Sequence, residues 1–252
     1  MRRASGAWIV TGAASGIGRE LARRLHARGE TLALWDRDEA GLVAIGRELG
    51  AHTAVVDVRE EASVASALDR ARAAVGPIAH VGHCAGVLAV GNATEVAASD
   101  YRRMMEVNYL GTVHVALAVL SELRAREGRA SLMLVASVAG LRGFPRLAGY
   151  SASKFAVVGF AQALSDELAG TNVRVKVLCP PPVDTPMVRN VGPLPPVYKL
   201  SPLFTAEQVV GAALVELERP GLVALVDLRS KLLWRAYRAA PALVDRVVRA
   251  AR

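Results

Sequence analysis

The chain has 252 residues, of which 52% are hydrophobic and 21% are charged, and its formal net charge is +8. This composition predicts a folded protein with a large core and excludes a repeat or low-complexity chain. Seven basic residues and one acidic residue lie between Arg229 and Arg252, while the rest of the chain is close to neutral. The basic charge therefore belongs to a C-terminal segment, and no nucleic-acid partner is predicted.

Short apolar runs alternate with segments of helical periodicity, beginning with a helix over Arg19–Arg28 that stops at Gly29. Strands are predicted at Trp8–Val10, Thr31–Trp35, Ala54–Val56, His80–Cys84, Ser131–Ala136, Val173–Leu178 and Leu222–Val226. Alternating strands and helices predict right-handed βαβ units. The predicted fold class is α/β, a single-domain doubly wound parallel sheet of Rossmann type with about seven strands and helices on both faces. Ligands bind such a sheet at the carboxyl ends of its strands.

The main domain is predicted over residues 1–228 and a basic amphipathic helical tail over residues 229–252. The tail holds a first helical segment, Lys231–Tyr237, and a second that begins near Pro241, a residue suited to a first helical turn. One face of the second segment carries Leu243, Val244, Val247 and Val248. Three roles remain open for the tail, which are contact with an anionic membrane, a cover for the substrate cleft, and packing against another subunit.

Nothing in the sequence predicts export or a metal site. The apolar stretch after Met1-Arg2-Arg3 ends at Thr11-Gly12, which is too short for a signal peptide or a membrane span, and no run of about 18 apolar residues occurs. The cysteines, Cys84 and Cys179, form no CxxC pair and no zinc-ligand pattern. We therefore expect a cytoplasmic protein with reduced cysteines.

A glycine-rich turn joins the first strand to the first helix. Its sequence is Thr11-Gly12-Ala13-Ala14-Ser15-Gly16-Ile17-Gly18. Glycines allow the backbone to approach a pyrophosphate, and a helix N-terminus offers free N–H groups and the positive end of a dipole. Glycine clusters also occur in ordinary loops, so the turn alone leaves both interpretations open.

Two aspartates end the next two strands. Asp36 lies 24 residues after Gly12, near the spacing expected of a carboxylate that binds the ribose of NAD. Arg37 could instead bind the 2′-phosphate of NADP, although Asp36 would repel that phosphate. For Asp36 and for Asp57, the alternative is that the side chain caps the following helix.

At this point the chain resembles the short-chain dehydrogenase/reductase family over about residues 6–226. The glycine turn resembles the family's cofactor signature, and Tyr150-Ser151-Ala152-Ser153-Lys154 resembles its Tyr-x-x-x-Lys signature. Tyr150 and Lys154 are one helical turn apart and share a face. The resemblance also assigns catalytic roles to Asn108 and Ser137, which completes the family's tetrad.

The resemblance implies a set of cofactor contacts at matching positions. They are Gly12, Ser15, Gly16, Ile17, Gly18, Asp36, Arg37, Asp57, Val58, Cys84, Ala85, Gly86, Tyr150, Lys154, Pro180, Val183 and Thr185. The chain departs from the family at Cys84, where an asparagine is usual, and at Pro181, where a glycine is usual. A proline has no N–H and a restricted φ, so the loop from Pro180 should be stiff.

The implied chemistry is acid–base catalysis beside a nicotinamide. A phenol has a pKa of about 10, and the ammonium of Lys154 should lower the pKa of Tyr150. Tyr150 would take the alcohol proton in oxidation and return it in reduction, while Ser137 would hold the substrate oxygen. Lys154 would also bind the ribose, and Asn108 would hold a water near Lys154.

The loops expected around the substrate are mostly apolar and include Val138, Phe144, Met187 and the segment from Met187 to Phe204. This lining predicts a lipophilic alcohol or ketone, although apolar loops also form for packing alone. The sequence therefore predicts an NAD(P)-dependent oxidoreductase with NAD as the favoured cofactor, and the resemblance implies a homodimer or homotetramer. The alternative is a non-catalytic NAD(P)-binding sensor or scaffold of the same fold.

Overall fold

A computed structural model of the protein describes residues 6–192, 195 and 202–250. The strands are Ala7–Thr11 (β1), Leu32–Asp36 (β2), His52–Val55 (β3), Ile78–His83 (β4), Ala130–Val135 (β5), Val173–Leu178 (β6) and Val223–Ala224 (β7). They form one sheet in the order β3-β2-β1-β4-β5-β6-β7, and every pairing is parallel. The predicted doubly wound parallel sheet is confirmed. The strand order reverses between β1 and β4, which is where such sheets bind ligands.

The strand positions agree with the apolar runs, and the differences lie at strand ends. All five residues of β1 and all six residues of β5 are buried, as expected for strands covered on both faces. The third strand begins two residues before the predicted Ala54 and ends before Val56, whose N–H donates to Asp36 O. β7 is shorter than the predicted Leu222–Val226, because an edge strand has a ladder partner on one side only.

Helices cover both faces of the sheet. They are Gly16–His26 (α1), Glu39–Leu49 (α2), Glu61–Val75 (α3), Ala98–Met104 (α4), Gly111–Ala125 (α5), Ala148–Glu167 (α6), Pro186–Arg189 (α7), Ala206–Glu218 (α8), Leu228–Ala239 (α9) and Pro241–Ala250 (α10). Buried residues of α3, α5 and α6 pack on one face of the sheet. Buried residues of α1, α2 and α8 pack on the other. The first helix starts three residues before the predicted Arg19, because it begins inside the glycine turn.

Ala98–Ala125 forms one continuous helix that is long and apolar enough to meet the criteria for a membrane span. Polar residues interrupt its apolar residues, so the sequence did not predict a membrane span here. Val115, Val119 and Leu123 are fully buried in the sheet core. Packing on the sheet therefore accounts for part of its hydropathy, while Leu110 and Leu117 are exposed.

The tail folds into two helices that pack on the main body of the chain. α9 begins three residues before the predicted Lys231, because Asp227 accepts a capping hydrogen bond from Ser230 N. The helix breaks at Ala240, and Pro241 starts α10. A third apolar cluster joins the tail to the body, and its buried members are Leu88, Ala139, Phe144, Leu147, Val244 and Val248.

Thr11 joins the ends of β1 and β4 at the switch point. Its hydroxyl lies 2.9 Å from His83 Nδ1 and accepts hydrogen bonds from Cys84 N at 3.1 Å and Ala85 N at 3.2 Å. Burial lowers the pKa of His83 to about 3, so the ring is neutral and its Nδ1 accepts the hydroxyl proton. One buried hydroxyl therefore positions the loop that follows β4 against the glycine turn.

Thr11→Val keeps the shape of the side chain and removes all three hydrogen bonds. Two backbone N–H groups, those of Cys84 and Ala85, would be left without this partner, so we expect the free energy of unfolding to fall by about 1–3 kcal/mol. Urea unfolding would measure the change. Thr11→Ser keeps the hydroxyl and should retain most of the stability. Equal losses in the two variants would contradict the role given to the hydroxyl.

Candidate active site

The glycine-rich turn needs glycine for both its backbone angles and its contacts. Gly12 has a φ of +65° and Gly16 a φ of +53°, which is a region that strains other residues. A Cβ on Gly12 would lie 2.8 Å from Ala85 N. A Cβ on Gly18 would collide with the carbonyl of Gly12. The space beside Gly12 and Gly18 is thus filled by the chain's own backbone, and the glycine turn lines a cavity as a groove of bare backbone, which fits the cofactor cradle predicted there.

The N-terminus of α1 opens from this turn. The helix begins at Gly16, and the side chain of its N-cap residue, Ser15, makes no capping hydrogen bond. No acidic residue lies in the first turn of the helix. Ser15, Gly16 and Ile17 line a cavity, so the positive end of the helix dipole and the Ser15 hydroxyl border that cavity. This arrangement favours an anion such as a pyrophosphate.

Asp36 ends β2 beside the same turn. Its Oδ2 accepts a hydrogen bond from Ala14 N at 3.0 Å, and its Oδ1 accepts one from Asp38 N at 3.0 Å. The interpretation of Asp36 as a helix cap is wrong, because Asp38 caps α2 by accepting from Gly41 N. Asp36 and the exposed Arg37 both line the cavity.

Asp57 and Val58 follow β3 and line the cavity next to these residues. The guanidinium of Arg59 donates to Asp57 Oδ2 at 2.6 Å, and this pairing holds the pKa of Asp57 below its usual value. Asp57 is not the cap of α3 either, because the N-cap position is Glu60. The carbonyl of Val58 is in turn bonded to His114 Nδ1 at 2.9 Å.

The loop after β4 carries Cys84 in place of the family's usual asparagine. Burial raises the pKa of the Cys84 thiol to about 12, so the thiol stays protonated and is a poor nucleophile. The loop still packs on the glycine turn, through Ala85 and the hydroxyl of Thr11. A Cβ on Gly86 would lie 3.5 Å from Lys154 Nζ, so this glycine leaves space beside the lysine.

Tyr150 and Lys154 lie one turn apart on α6, and both line the cavity. Lys154 Nζ is 5.8 Å from the centroid of the Tyr150 ring and donates to Val135 O at 2.9 Å. Only 4% of Lys154 is exposed. Burial lowers its pKa to about 8, so in most molecules the Lys154 side chain is still protonated at neutral pH.

Ser137 follows β5 and lies on the cavity wall with Tyr150. Its Oγ accepts a hydrogen bond from Ala139 N at 3.1 Å, which caps a single turn of 3₁₀ helix over Val138–Gly140. This bond uses an acceptor site of Oγ and leaves the hydroxyl proton of Ser137 free to be donated to a ligand oxygen.

Asn108 lies behind the cavity wall, in a π-helical turn over Met105–Leu110 that joins α4 to α5. Its side chain bonds both backbone groups of Val87, at 2.7 Å and 3.0 Å, and donates to Ser153 Oγ at 2.9 Å. The sequence predicts a helical residue here but not the π turn, a feature frequent at functional sites. Asn108 thus positions the loop after β4, and the water-holding role stays a prediction.

The loop from Pro180 to Thr185 closes the other side of the cavity. Pro180 O accepts from Val138 N at 3.1 Å, and Pro182 O accepts from Phe204 N at 2.9 Å. A Cβ on Gly16 would lie 3.1 Å from Thr185 Cγ2, so the loop reaches the glycine turn. Backbone hydrogen bonds thus hold the loop at Pro180 and at Pro182, and the stiffness expected from its prolines stays a prediction.

The predicted residues enclose one cavity of about 1040 Å³. Every predicted cofactor residue lines it, as do Ser137, Tyr150 and Lys154 and the substrate residues Val138, Phe144 and Met187, whereas Asn108 does not. Of the predicted segment from Met187 to Phe204, Val188, Asn190 and Val191 also line the cavity, Arg189 and Phe204 do not, and residues 193, 194 and 196–201 lie outside the described residues. The sequence did not point to several apolar lining residues, among them Leu88, Leu147 and Leu233.

The tail forms the roof of this cavity, so of the three roles left open for it the structure shows the cover for the substrate cleft. Val244 and Val248 of α10 are buried in the cluster over the cavity, whereas Leu243 and Val247 are exposed. One half of the predicted apolar face of α10 is therefore buried against the body of the protein, and the other half is exposed. Helical spacing identifies the face, but no sequence signal tells which surface it contacts.

Arg142 links this roof to the loop after β5. Its guanidinium lies 2.9 Å from the carboxylate of Asp245 on α10, and the arginine is 9% exposed. It also donates to Gly143 O and lies over the rings of Phe144 and Tyr237, at 5.3 Å and 5.8 Å from their centroids. Arg142 therefore binds a carboxylate of the tail and fixes α10 to the loop after β5.

Residues 7–194 match the short chain dehydrogenase family. The chain belongs to this family. The match confirms the resemblance that the glycine turn and the Tyr-x-x-x-Lys spacing predicted, and it spans β1 to the loop after α7.

Known members of the family are similar to this chain in sequence and in structure. A 3-dehydrosphinganine reductase of Danio rerio is 37% identical over 189 residues, which are 71% of this chain and 56% of that protein. The chain thus spans little more than half the length of this curated relative. A Burkholderia phymatum short-chain dehydrogenase in complex with NAD superposes with a TM-score of 0.82, 27% identity and 96% coverage of both chains. An actinorhodin polyketide ketoreductase with NADPH gives a TM-score of 0.79, 30% identity, and coverage of 88% of this chain and 95% of that one.

The buried lysine of this short-chain dehydrogenase should make its stability depend on pH. The pKa of Lys154 falls from the usual 10.5 to about 8 on folding, so between these values the unfolded chain binds more protons. The stabilising contribution is complete above the unfolded pKa and is lost as the pH falls through the folded pKa. Relative to Lys154→Met, we expect the wild-type free energy of unfolding to rise by about 2 kcal/mol from pH 7.5 to 9.5.

Urea unfolding of both proteins at several pH values would measure this difference. Comparison with Lys154→Met removes the contribution of the other titrating groups, which both proteins share. A difference that stays constant, or that shrinks as the pH rises, would contradict the lowered pKa of Lys154.

Proposed function

We propose that this short-chain dehydrogenase is an NAD(P)-dependent oxidoreductase that interconverts a lipophilic secondary alcohol and its ketone, or an alcohol and an aldehyde. One observation carries the proposal. Tyr150, Lys154 and Ser137 lie on the wall of the same cavity whose far end is the bare-backbone groove of the glycine turn. A proton donor (Tyr150), a cation (Lys154) and a hydroxyl group (Ser137) thus lie in the same cavity as the groove that fits a dinucleotide.

The residues present fit a nicotinamide dinucleotide. The groove at Gly12 and Gly18 admits no side chain, and the N-terminus of α1 faces the cavity there. NAD and NADPH are bound by the two structural neighbours. Asp36 favours NAD, because its carboxylate can accept the ribose hydroxyls and repels a 2′-phosphate. Arg37 keeps NADP possible.

The chain's own residues supply proton transfer and charge stabilisation. When bound, the nicotinamide gives or takes a hydride. The Lys154 ammonium, 5.8 Å from the ring centroid of Tyr150, favours the phenolate form of that side chain. Tyr150 Oη then accepts the alcohol proton in oxidation and donates a proton to the carbonyl oxygen in reduction. Ser137 donates a hydrogen bond to the same oxygen and stabilises the charge that develops there.

The lining of the cavity supports a lipophilic substrate. Between Tyr150 and the tail, the wall consists of aliphatic and aromatic side chains, which are Leu88, Phe144, Leu147, Leu233, Val244 and Val248. A site of this kind binds through apolar contact, while a few polar groups fix the reacting oxygen. The relative described as a 3-dehydrosphinganine reductase agrees with this substrate class.

We also propose that the protein is a cytoplasmic homodimer or homotetramer. The helices that carry Asn108 and Tyr150 expose large apolar side chains on their outer sides, among them Leu110, Leu117 and Phe155. Such residues are common in subunit interfaces. Cys84 and Cys179 are both free thiols, which suits a reducing compartment. Light scattering that gave the mass of a monomer would remove the expected assembly.

Tyr150→Phe removes the phenolic hydroxyl and keeps the ring. We expect at least about a thousandfold loss of kcat for reduction of lipophilic ketones, because the step loses its proton donor. The measurement is NADH and NADPH oxidation against a panel of ketones and aldehydes. Cofactor binding, followed by fluorescence titration, should change little.

Tyr101→Phe is the matched control, since Tyr101 donates to Ala93 O and does not line the cavity. It should retain the wild-type rate. If neither wild type nor Tyr150→Phe turned over any substrate while both bound NADH tightly, the sensor or scaffold alternative would replace the oxidoreductase proposal.

Asp36→Ser should shift the cofactor preference toward NADP. The substitution removes the carboxylate that repels a 2′-phosphate and leaves Arg37 in place to bind it. We expect the ratio of kcat/KM for NADPH to kcat/KM for NADH to rise at least about tenfold. Arg37→Gln should move the ratio in the opposite direction. A wild-type enzyme already tenfold better with NADPH would contradict the preference for NAD.

A further inference from the structure

The two tail helices expose large apolar side chains to solvent. Leu228 is 69% exposed and Leu232 is 53% exposed on α9, while Leu243 is 62% exposed and Val247 is 58% exposed on α10. Leu228 and Leu232 are separated by one helical turn, as are Leu243 and Val247, so each pair forms a short stripe. These stripes lie on helices whose inner sides pack on the body.

Unpaired positive charge accompanies these stripes. Arg229, Arg235 and Arg246 make no ion pair with any residue that the structure describes. The sole acidic residue of the tail, Asp245, is engaged by Arg142. The outer side of the tail therefore combines exposed aliphatic groups with free guanidinium groups, the combination found in helices that lie on anionic lipid.

The exposed residues of the tail continue into the cavity. Leu243 and Val247 line it together with Arg229 and Ala236, and all four residues are also exposed. Val244 on the adjoining side of α10 is buried and lines the same cavity. The cavity therefore reaches solvent beside α9 and α10, and this opening, here called the mouth, has an apolar and basic rim.

We propose that the exposed stripes and free arginines of α9 and α10, together called the tail surface, dock on an anionic lipid surface. A lipophilic substrate then passes from the lipid through the mouth to Tyr150, and this second step rests on the proposed oxidoreductase function. The apolar stripes enter the interface between headgroups and acyl chains, and the guanidinium groups bind lipid phosphates. The roof of the site is in this way also its membrane contact.

Charge favours lipid over the other occupants of this surface. In a twofold contact between two copies, the same basic face would meet itself, and like charges would oppose the contact. A nucleic acid would pair with the arginines but would leave the four aliphatic side chains without an apolar environment. An anionic bilayer satisfies both sets of side chains at once.

Flotation with vesicles tests the docking independently of catalysis. The full-length protein should bind vesicles of phosphatidylcholine mixed with phosphatidylglycerol, bind little to phosphatidylcholine alone, and be released by high salt. Leu228→Gln combined with Leu232→Gln should weaken binding at least about tenfold, because the apolar area buried in lipid is lost. These two leucines do not line the cavity.

The matched control combines Val43→Gln and Val215→Gln, which change two exposed aliphatic residues on α2 and α8. This variant should bind anionic vesicles as the wild type does. Failure of the wild type to bind, or equal loss in both variants, would overturn the docking. If the leucine variant instead changed the oligomeric mass of a wild type that ignores vesicles, the tail surface would be a contact between copies.

A second assay tests the passage of substrate. Reduction of a water-soluble ketone should be unchanged in the Leu228→Gln, Leu232→Gln variant, while reduction of a long-chain ketone held in anionic vesicles should fall at least about fivefold. An equal rate on the vesicle-held ketone would overturn the passage through the mouth. Absence of turnover with either ketone in all proteins would instead refute the oxidoreductase function, and the flotation result would still decide the docking.

Discussion

The close approach of two backbone segments at the switch point of the sheet is the constraint on which the rest of the site depends. The turn at Gly12 lies so near the loop at Ala85 that a Cβ on Gly12 would lie 2.8 Å from Ala85 N. The buried hydroxyl of Thr11 holds the two together with three hydrogen bonds. Because the loop is fixed there, Gly86 leaves room beside Lys154, and Asn108 can hold Val87 from behind. The contact between the glycine turn and the loop after β4 thus positions both the cofactor groove and the surroundings of Lys154.

The tail changes what kind of site this is. Without α9 and α10, the cavity would be an open cleft at the carboxyl ends of the strands. Val244 and Val248 cover it with aliphatic groups, and the partly buried pair of Arg142 and Asp245 fixes the cover to the loop after β5. A charged pair that is partly desolvated contributes more to orientation than to stability. The roof therefore defines an apolar chamber, and its outer side is free to meet another surface.

Local signals predicted most of the fold. The apolar runs placed all seven strands to within a few residues, and the glycine turn and the Tyr-x-x-x-Lys spacing placed the two ends of the site. These features depend on the chain's own periodicity and on glycine's freedom at positive φ, which are readable without partners. The positions of the predicted strands and helices differ from the structure mainly at their ends. There, hydrogen bonds with a neighbour, such as Val56 N to Asp36 O, decide the boundary.

The fold class, the family and the residues at each end of the site could be predicted from the order and spacing of residues along the chain. Packing was needed to show that Asp36 accepts from Ala14 and leaves capping to Asp38, that Asn108 lies in a π turn, and that α10 roofs the cavity. Helical periodicity shows that Val244 and Val248 share a face, but the surface they bury depends on residues roughly a hundred positions away, which packing brings together.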